Sequence, residues 1–235
     1  EVTYRIEFTP VQPRLTLNIP KVSIFSQERQ TIVVPRGNRY ATLMVANRAD
    51  FGGELVLGSE GLPSGVKLTS DNMPANLNVI PVLFEAAPDA PISGKLTNVT
   101  AHHVDPNAKI SGGFEQTVEL VTGAPGQSVY WRNDVEQAAV AVAEEVPFKI
   151  SIVEPKVPLV QNGSMNIKVV VERKPDFKAP ITLLMPFNPP GVGSASSVTI
   201  PEGQNEILYP INANGGAEVR KWKIVVLGTA TVGNG

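Results

Sequence analysis

His102 and His103 are the only imidazoles in this chain, and they are neighbours. On a strand, adjacent side chains point to opposite faces, so the two cannot hold one metal ion together. Asp105 adds an oxygen nearby, but two or three mixed ligands make a poor zinc site. They read instead as exposed residues at a strand end. Ser59 sits in LGSEG, which lacks the first glycine of the G-x-S-x-G elbow, and nothing in the sequence brings a histidine to it. Phosphate-cradling glycine patterns are absent. Asp71-Asn72, Asp89, Asp105-Pro106-Asn107 and Asp134 are oxygen donors of the kind calcium takes, yet no dense D-x-D-x-D run forms and turn formation accounts for them. No catalytic residue, metal or cofactor is expected.

Tyr130-Trp131 is the aromatic pair with the most to offer. On a strand one ring faces the core and the other faces solvent, where it can stack on a sugar or anchor a partner. These two residues are the candidate ligand-binding pair. Their position between two related segments also predicts a structural role, in which they pack the junction.

The elements that carry these residues are short. Apolar residues make up 42% of 235 and charged residues 18%, enough for a core and too few charges for a disordered chain. A net charge of -2 offers no basic face for nucleic acid or anionic lipid, and no apolar run is long enough to span a membrane. Cysteine is absent, which removes disulfides and thiolate chemistry. With 20 glycines and 21 prolines scattered between β-branched runs, the spacing predicts strands separated by turns about every ten residues. The stretch 134–145, DVEQAAVAVAEE, is rich in helix formers, but its Val–Ala alternation and Pro147 favour a strand. The chain begins with Glu and shows no signal peptide, and it reads as a segment of a longer protein whose targeting segment lies elsewhere.

An internal repeat organises the strands. Sliding the chain by 126 positions pairs Gly37 with Gly163, Val45 with Val171, Asp50 with Asp176, Phe51 with Phe177, Leu57 with Leu183, Pro63 with Pro189, Gly65 with Gly191 and Val66 with Val192. Roughly two such matches are expected over this length from composition alone. A one-residue insertion later pairs Pro74 with Pro201, Asn78 with Asn205 and Ile80 with Ile207. Tyr4 falls opposite Tyr130, and Leu15 and Leu17 fall near Val140 and Val142, so each copy is expected to open with an extra stretch. The matched residues shape backbone and carry no reactive group. The strand 114–121 has no counterpart in the second copy, which predicts an open edge there.

Leu62, Pro63, Gly65 and Val66, followed by Asp89, Ala90, Pro91 and Gly94, resemble the Gly-Leu-Pro-x-Gly-Val and Asp-Ala-Pro-x-Gly lines of bacterial extracellular Ig-like modules. The second copy keeps Pro190, Gly191 and Val192 but has NGGAEVRKW in place of the Asp-Ala-Pro turn. The resemblance implies an all-β fold of two tandem immunoglobulin-like β-sandwiches, at 1–125 (core 22–122) and 126–235 (core 148–235), the second without its last strand. It also implies a non-catalytic spacer or adhesive module of a larger secreted or cell-surface protein. The partners would be other domains of the same polypeptide, and protein or polysaccharide. The alternative is a carbohydrate- or peptide-binding accessory module.

Overall fold

The computed structural model describes residues 6, 8, 10–22, 30–124 and 128–231. Among them the chain is strand and turn, with a single 3-10 turn at Pro106–Ala108. The first unit contains β1 (Arg14–Asn18), β2 (Ile32–Pro35), β3 (Arg39–Ala49), β4 (Leu55–Glu60), β5 (Val66–Ser70), β6 (Val79–Ala86), β7 (Ser93–His103), β8 (Ser111–Phe114), β9 (Gln116–Thr122), β10 (Val129–Val135) and β11 (Ala138–Ala143). One layer pairs β1-β3-β6-β5 and the other pairs β4-β7-β11-β2, with β2 parallel to β11. This is the A-B-E-D and C-F-G pairing of an immunoglobulin-like sandwich. Strand β8 pairs with both β7 and β1 and so joins the layers at one corner. The approach is close enough that a Cβ on Gly112 would lie 1.9 Å from the Leu15 carbonyl oxygen.

The second unit contains β12 (Phe148–Ile152), β13 (Ser164–Arg173), β14 (Ile181–Leu184), β15 (Val192–Ser194), β16 (Val198–Ile200), β17 (Glu206–Ala213) and β18 (Leu227–Thr229). Its layers are β12-β13-β17-β15 and β16-β14-β18. Strands β13, β14, β15, β17 and β18 repeat β3, β4, β5, β6 and β7 in order and pairing. The fold is therefore two immunoglobulin-like sandwiches, and among the described residues the second has no strand in the place of β11.

The structure moves the boundary between the units. Ala138, Val140 and Val142 are in the first core together with Leu15, Leu17 and Phe114. A division after residue 125 would strip that core of a strand that pairs with β7 along one edge and with β2 along the other. So Val140 and Val142 close the first unit rather than open the second, and Leu15 and Leu17 lie on its first strand rather than on an extra stretch. The first core thus runs beyond the expected 22–122 at both ends. Residues 114–121, expected as its last strand, are the end of β8 and most of β9, which forms a hairpin with β10. Tyr130 lies on that hairpin, within the first unit; Tyr4 falls outside the described residues.

The repeat also changes register. Met44 pairs with Ile80, and Val169 pairs with Ile207, so β3 and β13 superpose at an offset of 125. Burial agrees: Thr42, Met44 and Ala46 face inward, as do Ile167, Val169 and Val171. A slip of one residue would turn every one of these side chains to the other face. The Gly37/Gly163 and Val45/Val171 identities are therefore not structural equivalents. The positive φ of Gly37, 65°, is matched by Asn162 at 57°, not by Gly163.

From Asp50 onward the offset of 126 holds where it matters. Val66 N–H donates to the Pro63 carbonyl at 3.1 Å and Val192 N–H to that of Pro189 at 2.9 Å, with Gly65 and Gly191 both at φ 77°. That is a type II turn, in which the third residue needs positive φ. Each turn packs on an alanine, Ala90 or Ala217. Ala90 N–H bonds Ala87 O at 3.1 Å, and Ala217 N–H bonds Asn214 O at 3.2 Å. NGGAEV thus makes the same turn as the Asp-Ala-Pro segment with different letters.

Two measurements test these assignments. A Cβ on Gly191 would sit 2.5 Å from Ala217 Cα, whereas Gly203, φ 70°, meets nothing within 4 Å. Gly203→Ala is expected to cost the second unit about 1 kcal/mol of backbone strain and Gly191→Ala clearly more, by denaturant unfolding. Val140→Ala is expected to cost the first unit about 2 kcal/mol, because Val140 is 1% exposed, while Val121→Ala is nearly neutral. If Val140→Ala is silent, β11 does not belong to this core.

Candidate functional site

The described residues offer two surfaces. The first is the β9–β10 hairpin, inserted between the two strands β7 and β11 that complete the sandwich. Its base is anchored. Gln116 is buried and its Oε1 accepts the Ile19 N–H at 3.0 Å; Thr117 Oγ1 donates to Asp134; Lys21 pairs with Glu119 at 2.6 Å. Farther out the ribbon leaves the sandwich, and both of its faces meet solvent. Tyr130 is 69% exposed and Trp131 64%, and Leu120, Val121 and Val129 beside them are exposed as well. The ladder carries irregularities around Trp131, which pairs with Val121 between Val129↔Thr122 and Arg132↔Glu119.

This departs from expectation in two respects. Neither aromatic ring faces a core, because a two-stranded ribbon clear of the sandwich has no buried face. Nor do Tyr130 and Trp131 pack the junction between units. Trp222 is half-buried on an irregular segment before β18, 6.5 Å from the Phe187 ring, with the Arg220 guanidinium 4.3 Å above it.

The second surface is a cleft of about 740 Å³ between the units, lined by β12, by residues 224–229 and by Val33, Tyr40 and Leu83 of the first unit. Around it, Asn38 Nδ2 donates to Phe148 O at 2.9 Å and Lys174 N–H donates to Pro147 O at 2.9 Å. Lys223 pairs with Asp71 at 2.6 Å. Lys174 Nζ lies 2.8 Å from Glu145, and its hydrogen bond and charge hold that carboxyl below the usual range.

Several of the other sequence candidates have local partners. His103 Nδ1 accepts the Asp105 N–H at 3.0 Å, and its ring lies against Gly53. His102 is exposed on the opposite face of β7. Ser59 pairs with Val99, four residues along β7 from His103, a separation of about 13 Å. Asp105 Oδ1 accepts the Asn107 N–H at 2.9 Å and caps the 3-10 turn. Asn72 bonds Glu54 at 2.6 Å, and Asp134 is taken by Thr117. The cleft itself went unseen in the sequence.

No family model and no curated protein match the chain. Among solved structures it is similar to the D00-D0 domain of intimin (10% identity, TM-score 0.27, covering 93% of each chain). It is also similar to fibronectin(III)-like modules of Clostridium thermocellum CbhA (11%, TM-score 0.21, covering 92% of this chain and 86% of that one). A third is the titin domains z1z2 in complex with telethonin (12%, TM-score 0.25, 94% and 95%). At these scores the overlaps carry no argument, and the fold assignment rests on the strand pairings.

Exposure of the two indoles can be checked directly. Acrylamide is expected to quench a red-shifted emission component strongly, and Trp131→Phe to abolish that component while Trp222→Phe leaves it. Survival of the component in Trp131→Phe would bury Trp131.

Proposed function

We propose that the chain is a non-catalytic structural and interaction module of a larger secreted or cell-surface protein, acting as a spacer between other domains of the same polypeptide. The observation that supports this reading is the connection between the units. Only residues 144–147 separate β11 from β12, and they are tied on both sides. Glu144 pairs with Arg36 of the first unit at 2.8 Å and Glu145 with Lys174 of the second at 2.8 Å. Exposed ion pairs contribute only about 0–1 kcal/mol each, and linked sandwiches move relative to one another by default. The hydrogen bond from the Asn38 side chain to the Phe148 carbonyl and the Lys223–Asp71 pair, added to these, restrict such motion and make a semi-rigid rod.

Backbone relaxation by NMR tests the rod. Both units are expected to tumble with one shared correlation time, and Asn38→Ala combined with Lys223→Ala is expected to let them diverge. Independent tumbling of the unaltered chain overturns the spacer. Acid acts in the same direction. Glu145 has a lowered pKa, so its pair with Lys174 persists at neutral pH and is lost as pH falls through that lowered value.

The exposed Tyr130 and Trp131 favour a second reading, an accessory module that binds carbohydrate or peptide through an aromatic platform. A polysaccharide that shifts Trp131 emission, with binding lost in Trp131→Ala and the fold intact, supports it. Unchanged emission across a polysaccharide and peptide panel removes it.

A further inference from the structure

Residues 1–9, EVTYRIEFT, alternate throughout: Val2, Tyr4, Ile6 and Phe8 are apolar, and Glu1, Thr3, Arg5, Glu7 and Thr9 are polar. Strict alternation is the pattern of a half-buried strand. Yet of the residues described there, Ile6 is 71% exposed and Phe8 94%. The spacing has a parallel within the chain. Tyr4, Ile6 and Phe8 precede the start of β1 at Arg14 by ten, eight and six residues, and Ala138, Val140 and Val142 precede the start of β12 at Phe148 by the same intervals. Those three residues of β11 are the ones that turn into the first core. Residues 4–9 thus have the form of a closing strand, one that completes a sandwich and leads on into the next.

The second unit has the two neighbours that such a strand takes. In the first unit β11 is the strand that pairs with β2 and with 93–97 of β7, while β4 and β8 pair with β7 from residue 98 onward. At the local offset of 125, Ile32–Pro35 of β2 correspond to 157–160. Leu57 pairs with Ala101 and Leu183 with Gly228, an offset of 127 that sets 93–97 against 220–224. Neither 157–160 nor 220–224 is a strand. Ile32 is fully buried where Val157 is 65% exposed, and Thr97 is fully buried where Ile224 is half-buried. Arg36 N–H bonds the Ala143 carbonyl of β11 at 3.0 Å; at its place, Gln161 extends its side chain to the Ala217 carbonyl, 2.8 Å away. The segments that β11 orders in one sandwich are the ones left irregular in the other.

We infer that 157–160 and 220–224 accept residues 4–9 of a second copy of this chain, joining copies head to tail. The strand runs antiparallel to 220–224 and parallel to 157–160, as β11 does beside its own neighbours. Carried over in that register, Tyr4 meets Ile224, Ile6 lies between Trp222 and Val157, and Phe8 lies between Arg220 and Leu159. Glu7 stands beside Lys221, a cross-strand pair of opposite charge. Arg5 falls beside Lys223, whose charge is met by Asp71. The edge of β18 at 227–229 and the cleft beside it take no part.

A chain cannot serve itself. Arg14 pairs with Ala49, at the other end of β3 from Arg39, whose guanidinium touches the second unit at the Ile150 carbonyl. Those ten residues of strand span about 30 Å. The five residues from Thr9 to Arg14 reach at most about 18 Å. Donor and acceptor lie on different units, so each junction leaves one of each free and copies add into an open chain rather than a closed pair. Main-chain hydrogen bonds on both sides of the added strand supply affinity, and the alternate apolar side chains supply selectivity. The inference goes beyond the spacer reading and does not depend on it.

Sedimentation equilibrium of the 235-residue chain, from micromolar to millimolar concentration, tests the joint. The mean mass is expected to rise past that of a dimer without a plateau. Ile6→Asp with Phe8→Asp removes the donor, and both side chains are exposed, so the fold is kept. Val157→Asp with Lys221→Glu blocks the acceptor, again at exposed positions. Each variant alone is expected to stay monomeric, and their equimolar mixture to stop at a dimer, because only one junction can form. Trp131→Ala is expected to associate as the unaltered chain does. Amide exchange locates the contact. A synthetic peptide of residues 1–12, added to the donor variant, is expected to raise protection roughly tenfold at 220–224 and to protect 157–160, with 227–229 unchanged. The same peptide with aspartate in place of Ile6 and Phe8 is expected to do nothing. The joint is overturned if the unaltered chain stays monomeric at millimolar concentration, if association survives in the donor variant, or if the peptide leaves 220–224 unprotected. Shared tumbling of the two units, measured on the donor variant, is decided independently, so the joint and the spacer stand or fall separately.

Discussion

Every strand in a sandwich has two edges, and each edge presents backbone N–H and C=O groups that need partners. In the first unit β11 meets this requirement for β7 and for β2 at once, and its three small apolar side chains also seal the gap between the layers. That strand flanks β2 and the first half of β7, while β8 flanks β1 and the far end of β7. Hydrogen bonding and core closure here depend on the same six residues, so neither exists without the other.

The second unit shows how the shared scaffold behaves when this position is empty among the described residues. Its central layer holds: Ile181, Leu183, Ile200 and Tyr209 are fully buried, and Tyr209 donates to the Ala195 carbonyl at 2.7 Å. The β12 end is capped by Phe148 stacked on Phe177 at 5.5 Å, with the Arg173 guanidinium over the same ring. Disturbance is confined to one flank, where apolar rows stay half-open and a strand-competent segment stays irregular. The cleft lies beside β12 and β18, the counterpart of the corner that β8 fills in the first unit.

The insertion in the first unit illustrates the opposite relation between fold and surface. The β9–β10 hairpin adds nothing to the central core beyond its anchored base, yet it carries Tyr130 and Trp131 into solvent. Large aromatic rings exposed on a ribbon bury little area in folding, so they add little to the stability of the unit.

Read alone, the residues determined the all-β class, the duplication, and the turn at Pro-x-Gly-Val. These depend on local chemistry: alternating apolar residues, prolines, and glycines held at positive φ. The strand character of 138–143 was legible for the same reason. Which unit owns that strand was not, because Val–Ala alternation says only that one face is buried and leaves open against what. Gly37/Gly163 and Val45/Val171 were misread as equivalents because letters can match across a one-residue slip that side-chain direction forbids. Exposure of Trp131 and the open flank beside β18 were decided by tertiary structure alone, since both depend on which edges find a hydrogen-bonding neighbour from elsewhere in the chain.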